Sequence, residues 1–197
     1  MRNEKGATLI ELMAALLVSS VIFGAAAALY TSVHHLWKQD SQKFADDSAN
    51  RYTVNTISKQ LTETSAAAAF ENELRMKLGP GDAPVVSLVH DPATGELALY
   101  QFGDSSKFAD GSVSLTADPA LYTARRLLSD DVLSLSFYSR ETDGTLIPLT
   151  GRTVSGGTLI HYNISFATGF VTAGGGRETR AKSFSGTAKL IQDYTAK

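Results

Sequence analysis

Cysteine is absent from the 197 residues. That excludes disulfide frameworks, thiolate metal sites, thiol catalysis and lipidation on cysteine. It leaves the compartment open, because a secreted chain can also lack cysteine. Histidine is scarce: His90 and His161 stand alone, and His34 and His35 are adjacent. Neighbours on a helix point about 100° apart, so that pair makes a poor bidentate metal site. Neither a Ser-His-Asp order nor a nucleophile elbow can be drawn from this supply. Asp130 and Asp131 read as solvated turn acids rather than calcium ligands. The expectation is a protein that is not an enzyme and has no cofactor and no metal. Surplus charge is missing too, with 18 basic against 20 acidic residues and a formal net charge of -2. Proteins organised around broad phosphate neutralisation carry a basic excess, which this chain does not.

Hydrophobic residues at 43% and charged residues at 19% fit a folded chain, but they are unevenly spread. From Leu12 to Val33 there is no charge at all. Twenty-two helical residues rise about 33 Å, enough to cross a hydrocarbon core of ~30 Å. Arg2 and Lys5 precede this run, so the positive-inside rule leaves the N-terminus in the cytoplasm and the head outside. Glu11 alone breaks the apolar character between Ala7 and Val33. A carboxylate near a membrane span is costly and points to function. An ordinary signal peptide cut near Ala25–Ala28 and a plain membrane anchor are the competing readings, but neither needs Glu11.

The string Lys5-Gly6-Ala7-Thr8-Leu9-Ile10-Glu11-Leu12-Met13 closely resembles the class III prepilin signal of type IV pilins and of type II secretion pseudopilins. The family usually has Phe after the glycine; here Ala7 takes that place. The resemblance implies a leader over 1–6, cleavage between Gly6 and Ala7 by a prepilin peptidase, and N-methylation of Ala7. It makes Glu11 the fifth residue of the mature chain and assigns it to subunit assembly, either paired with the Ala7 amine of an adjacent subunit or acting in assembly of the initiation complex. The implied partners are other pilin or pseudopilin subunits, an assembly platform protein, and cytoplasmic membrane lipid before assembly. The implied destination is an extracellular or periplasmic filament.

No proline interrupts residues 7 to 79. The membrane-spanning or filament-core helix over 7–33 is expected to continue as an amphipathic helix over 34–65, about 90 Å in all. Trp37, Phe44, Tyr52, Val54, Ile57 and Leu61 would form its apolar stripe. Residues 66–78 read as an extension of that helix or a second short one, closed by Gly79-Pro80-Gly81-Asp82. The period then changes to two. Strands are expected at Val85–Val89, Leu97–Phe102, Val132–Tyr138 (with Leu133, Leu135 and Phe137 on one face), Thr145–Leu149 and around Ile160–Phe166. A last strand is expected within Ala181–Gln192. Turns fall at Asp91–Gly95 and Asp143–Gly144.

The fold class is therefore α+β: a long N-terminal helix packed on an antiparallel β-sheet head spanning 66–197. The element order resembles the larger minor pilins and the J-type minor pseudopilin. The family's major subunits commonly carry a C-terminal disulfide loop, which this chain cannot have. Minor pilin, with a priming, tip or shaft role, is thus the leading reading. A minor pseudopilin of protein secretion and a membrane-anchored extracytoplasmic binding protein are the alternatives. Gly174-Gly175-Gly176 reads as a hairpin tip, with Arg177, Arg180 and Lys182 beside it as candidate contacts to DNA, as in competence pili, or to another ligand. Without Arg2, Lys5, Lys38, Glu4 and Glu11 the remainder carries a net charge of -3, which speaks against nucleic acid.

Overall fold

The computed structural model describes residues 9–79, 83–103, 108, 121–141, 143–171 and 177–191. Gly6, Ala7, Pro80–Asp82 and Gly174–Gly176 lie outside them. The helix α1 runs Leu9–Thr62, and ten strands follow. Two compact units divide the chain, Met1–Ala45 and Asp46–Lys197.

In the second unit, the last turns of α1 bury Asn50, Thr53, Ile57 and Leu61. These positions recur every three or four residues, as a packed helix face must. The expected stripe is corrected here: Trp37, Phe44 and Tyr52 are exposed, Val54 is half-buried, and only Ile57 and Leu61 are buried. Two polar residues complete the real stripe. Thr53 can sit inside because its hydroxyl lies 3.2 Å from Ala49 O and 3.0 Å from Leu128 O, where it donates its proton.

Residues 66–78 form no helix. They make β1 (Ala66–Ala69) and β2 (Glu73–Lys77), an antiparallel pair in register from Ala66–Lys77 to Ala69–Leu74. The hydroxyl of Thr64 closes α1 on Gln60 O at 2.6 Å, and the next amide, Ser65 N–H, already donates to Lys77 O. Alanine's helical preference is worth only about 0.5 kcal/mol per residue over ordinary residues. Tertiary placement overrides it: β1 lies between β2 and β8 (Arg152–Ser155), and Ala67, Ala68 and Ala69 are buried.

The remaining strands are β3 (Val85–Asp91), β4 (Glu96–Phe102), β5 (Ala124–Ser129), β6 (Val132–Arg140), β7 (Leu146–Pro148), β9 (Leu159–Val171) and β10 (Arg177–Lys189). They build a six-stranded sheet, β5-β4-β3-β2-β1-β8, and a four-stranded sheet, β10-β9-β6-β7. Both are antiparallel throughout. β3 is buried on both faces. Its Val86 and Leu88 join Ile57, Leu61, Ile160, Tyr162, Ile164 and Phe166 in the main core, and Val85 and Val89 join Tyr100 and Phe102 in a second cluster. Gly95 (φ 77°) and Gly144 (φ 91°) hold the left-handed positions of the two expected turns, where a side chain would be strained. One expected face fails at Leu133. Between the pairs Val132–Phe166 and Ser134–Ser165, β6 spends two residues against one of β9. Leu133 is the extra residue of this bulge, and it is 52% exposed.

One ring of β9 reaches over β10 to α1. Gly186 pairs with Tyr162 across β10 and β9, and a Cβ at Gly186 would overlap the Tyr162 Cζ and hydroxyl oxygen. The missing side chain lets the ring cross the neighbouring strand and bring its hydroxyl within 3.5 Å of Val54 O on α1, to which it donates. Burial pushes the Tyr162 hydroxyl pKa up. Gly186→Ala is expected to destabilise the protein by about 1–3 kcal/mol, because the buried ring cannot swing clear. Gly169→Ala, at a β9 position with open space around it, should change stability by no more than about 0.5 kcal/mol. Thermal unfolding of the two variants checks this; equal losses would show that Gly186 has no special role.

Candidate functional site

The first unit has an apolar surface that stays exposed among the described residues. Leu9, Leu16, Val21, Phe23 (76% exposed), Tyr30 and Trp37 point outward all around α1, and none of its most apolar 18-residue stretch is buried. By length and composition this helix can cross a membrane. A helix that is apolar on every side belongs in a protein interior or in lipid. Its few hydroxyls suit either place. Ser20 donates to Leu17 O at 2.8 Å, Thr31 to Ala28 O at 2.9 Å and Ser32 to Ala28 O at 2.9 Å, so these three hydroxyls are satisfied by the helix's own backbone.

Glu11 lies in the first described turn of α1. Tyr30 and His34, one turn apart, stack with ring centroids 6.1 Å apart. His34 thus belongs to an aromatic pair at the edge of the apolar segment. Among the described residues no group of three or more histidines and carboxylates is gathered for a metal.

In the second unit the cations expected on a hairpin tip are instead strung along a strand. Arg177 opens β10 opposite Val171, Arg180 pairs with Thr168, and Lys182 pairs with Phe166. The reason is the length of the ladder: β9 and β10 stay paired through thirteen positions, so the strand begins well before the expected Ala181. Lys182 is also committed, with its Nζ 2.5 Å from Asp47 Oδ1 on α1 and 5.5 Å from the Phe184 ring centre. Asp47 was not singled out by its sequence, since its partner lies 135 positions away. A half-exposed pair of this kind contributes up to about 1 kcal/mol.

Acids crowd around Asp46, the residue before Asp47 on α1. Burial, then the neighbouring charge of Asp130 and that of Asp46, raise the pKa of Asp131 above the ordinary carboxylate value. By contrast, Asp143 is lowered by the Thr145 backbone N–H and hydroxyl, each 2.8 Å from its carboxylate, which fixes the β6–β7 turn.

Residues 1–27 match the family model described as the prokaryotic N-terminal methylation motif. No curated protein and no solved structure matches the chain. The motif supports a type IV pilin-like, prepilin-type protein. A leader of this type implies processing by a prepilin peptidase and assembly with other pilin subunits, and the apolar helix beside it fits membrane anchoring.

Asp131 supplies a test of the electrostatics. A pKa raised on folding gives stability that is fully present below the unfolded carboxylate pKa and is lost as pH rises through the folded one. Asp131→Asn should therefore raise the unfolding midpoint at pH 7, with the gain shrinking to nothing as both proteins are acidified below about pH 4. A gain that is independent of pH would contradict the crowding of Asp46, Asp130 and Asp131.

Proposed function

We propose that this chain is a minor subunit of a type IV pilus or related filament, made as a membrane-inserted precursor, cut after Gly6, and drawn into the filament by its N-terminal helix. The observation that carries the reading is the conjunction of the methylation-motif match over 1–27 with an apolar helix exposed on every side. Such a helix leaves lipid only for another apolar surface, and the helices of neighbouring subunits supply one. The cysteine-free chain favours a minor over a major subunit. The role is mechanical and organisational rather than catalytic. The N-terminus stays in the cytoplasm until processing, the head lies outside the membrane, and an assembly platform lifts the subunit out.

Glu11 sets the register. An unpaired carboxylate among packed apolar helices is costly, and opposite the ammonium of a neighbour's Ala7 that cost is offset. Removing the leader creates that ammonium, so processing and assembly are linked chemically. The minor pseudopilin reading uses the same chemistry and differs only in the machine that the subunit joins.

Two substitutions separate this function from plain anchoring. Gly6→Ala should leave the precursor at full length in a host with the peptidase. Glu11→Ala should still be cleaved yet fall at least about tenfold in filament incorporation, the size expected from losing one buried charge pairing. Immunoblots of membrane and sheared-filament fractions read both outcomes. Normal processing of the first and normal assembly of the second would leave only an anchored protein.

A further inference from the structure

A cleft of about 170 Å³ opens in the second unit where the β1–β2 turn meets β6 and the end of β7. It is independent of the N-terminal helix. Its walls come from three stretches far apart in sequence: Phe70–Glu73, His90 and Leu135–Tyr138, with Pro148 and Thr150 at one side. The short ladders hold these stretches together. Phe70 N–H donates to Glu73 O, His90 N–H donates to Asn72 O, and Ala69 bridges Thr150 in parallel.

The charged side chains in this cleft are carboxylates, set beside groups that can both donate and accept, such as Asn72 and Ser136. Glu71 is an exposed carboxylate on its rim. Glu73 lines it as well, and its charge is matched by Arg75, only 1% exposed, whose Nη2 lies 3.2 Å from Glu73 Oε2. Ser87 donates a further hydrogen bond to Glu73 Oε1 at 2.7 Å. The Arg75 guanidinium also lies 4.7 Å from the centre of the Phe70 ring, so its charge is engaged below the cleft. No lysine or arginine is among the described lining residues. His90, 6% exposed, adds an acceptor. Its Nε2 lies 3.1 Å from Val132 O, and a carbonyl oxygen can only accept, so Nε2 carries the proton. In the neutral ring Nδ1 is then an acceptor, and it makes no hydrogen bond with the described residues. Phe137 and Tyr138 supply aromatic surface beside these groups.

We propose that this cleft binds the cationic end of a lysine- or arginine-like group, an alkylammonium or a guanidinium. The charge left after the Glu73–Arg75 pairing is the one negative charge of Glu71. Such a group brings several donors and no acceptor, complementing Glu71 and His90 Nδ1. Aromatic walls favour a cation over a neutral donor of the same shape. The volume lies below the roughly 300–1,000 Å³ of sites for drug-sized ligands, so it suits one functional group rather than a cofactor or an oligosaccharide. The source is either a side chain of a partner protein or a free amine.

The test uses the full-length protein in detergent micelles and isothermal titration with N-acetylarginine amide, its uncharged isostere N-acetylcitrulline amide, agmatine and N-acetylglucosamine. Arginine amide should bind at least about tenfold more tightly than citrulline amide, which differs chiefly in the charge. Glu71→Gln, at an exposed position that does not threaten folding, should remove most of that preference; Ser136→Trp, checked for an unchanged unfolding midpoint, should abolish binding by filling the cleft. Tight binding of agmatine alone assigns the site to free amines, and binding of the amide assigns it to a side chain on a partner. Equal binding of citrulline amide, preference for the sugar, unchanged affinity in Glu71→Gln, or no binding of either arginine amide or agmatine up to about 10 mM each overturns the proposal.

Discussion

An apolar surface exposed on every side of a helix cannot stay in water, and the rest of this protein's behaviour follows from that constraint. Between Leu9 and Trp37 the side chains of α1 are exposed among the described residues. Lipid satisfies them first. The packed helices of other subunits satisfy them equally well, and moving between these two environments costs little because both are apolar. On the proposed function, sequence-specific information is then needed at only a few positions. The Glu11 carboxylate would make one axial position cheaper than the others, and the leader would keep the N-terminal ammonium masked until the subunit is in the membrane.

The second unit meets a different demand: it must be stable without disulfides. It does so with two sheets whose inner faces share one core with the end of α1. The fit depends on small residues as much as large ones. Alanines fill β1, and Gly186 lets the Tyr162 ring reach across a strand to the helix. Thr53, bonded to the backbone of β5, and Lys182, paired with Asp47, tie the same helix face to both sheets. Stability here comes from shape and from satisfied polar groups, and chiefly from burial.

Much of this was legible in the sequence, and the parts that were not share a cause. The leader string, the apolar run and the strands β3, β4 and β9 are local patterns, and local patterns survive without knowledge of the fold. Gly95 and Gly144 stood where the turn residues said they would. Residues 66–78 were misread because alanine's weak helical preference gave the only local signal, while the deciding factor was the space between β2 and β8. The buried stripe of α1 was misread because Asn50 and Thr53 are polar, and the acceptor that lets Thr53 sit inside, Leu128 O, is remote. Leu133 was misplaced by a bulge that breaks the alternation. The cations on β10 and the cleft around Glu71 and His90 depend on register across long separations, which no window along the chain contains.

The central claim is that this is a prepilin-type precursor whose helix is released for assembly by cleavage. N-terminal sequencing with intact mass, on protein extracted from the membranes of a host that has the peptidase, addresses it most directly. The account predicts a mature chain that begins at Ala7, with or without one added methyl group. A chain that still begins at Met1, or one cut near Ala28, would contradict it.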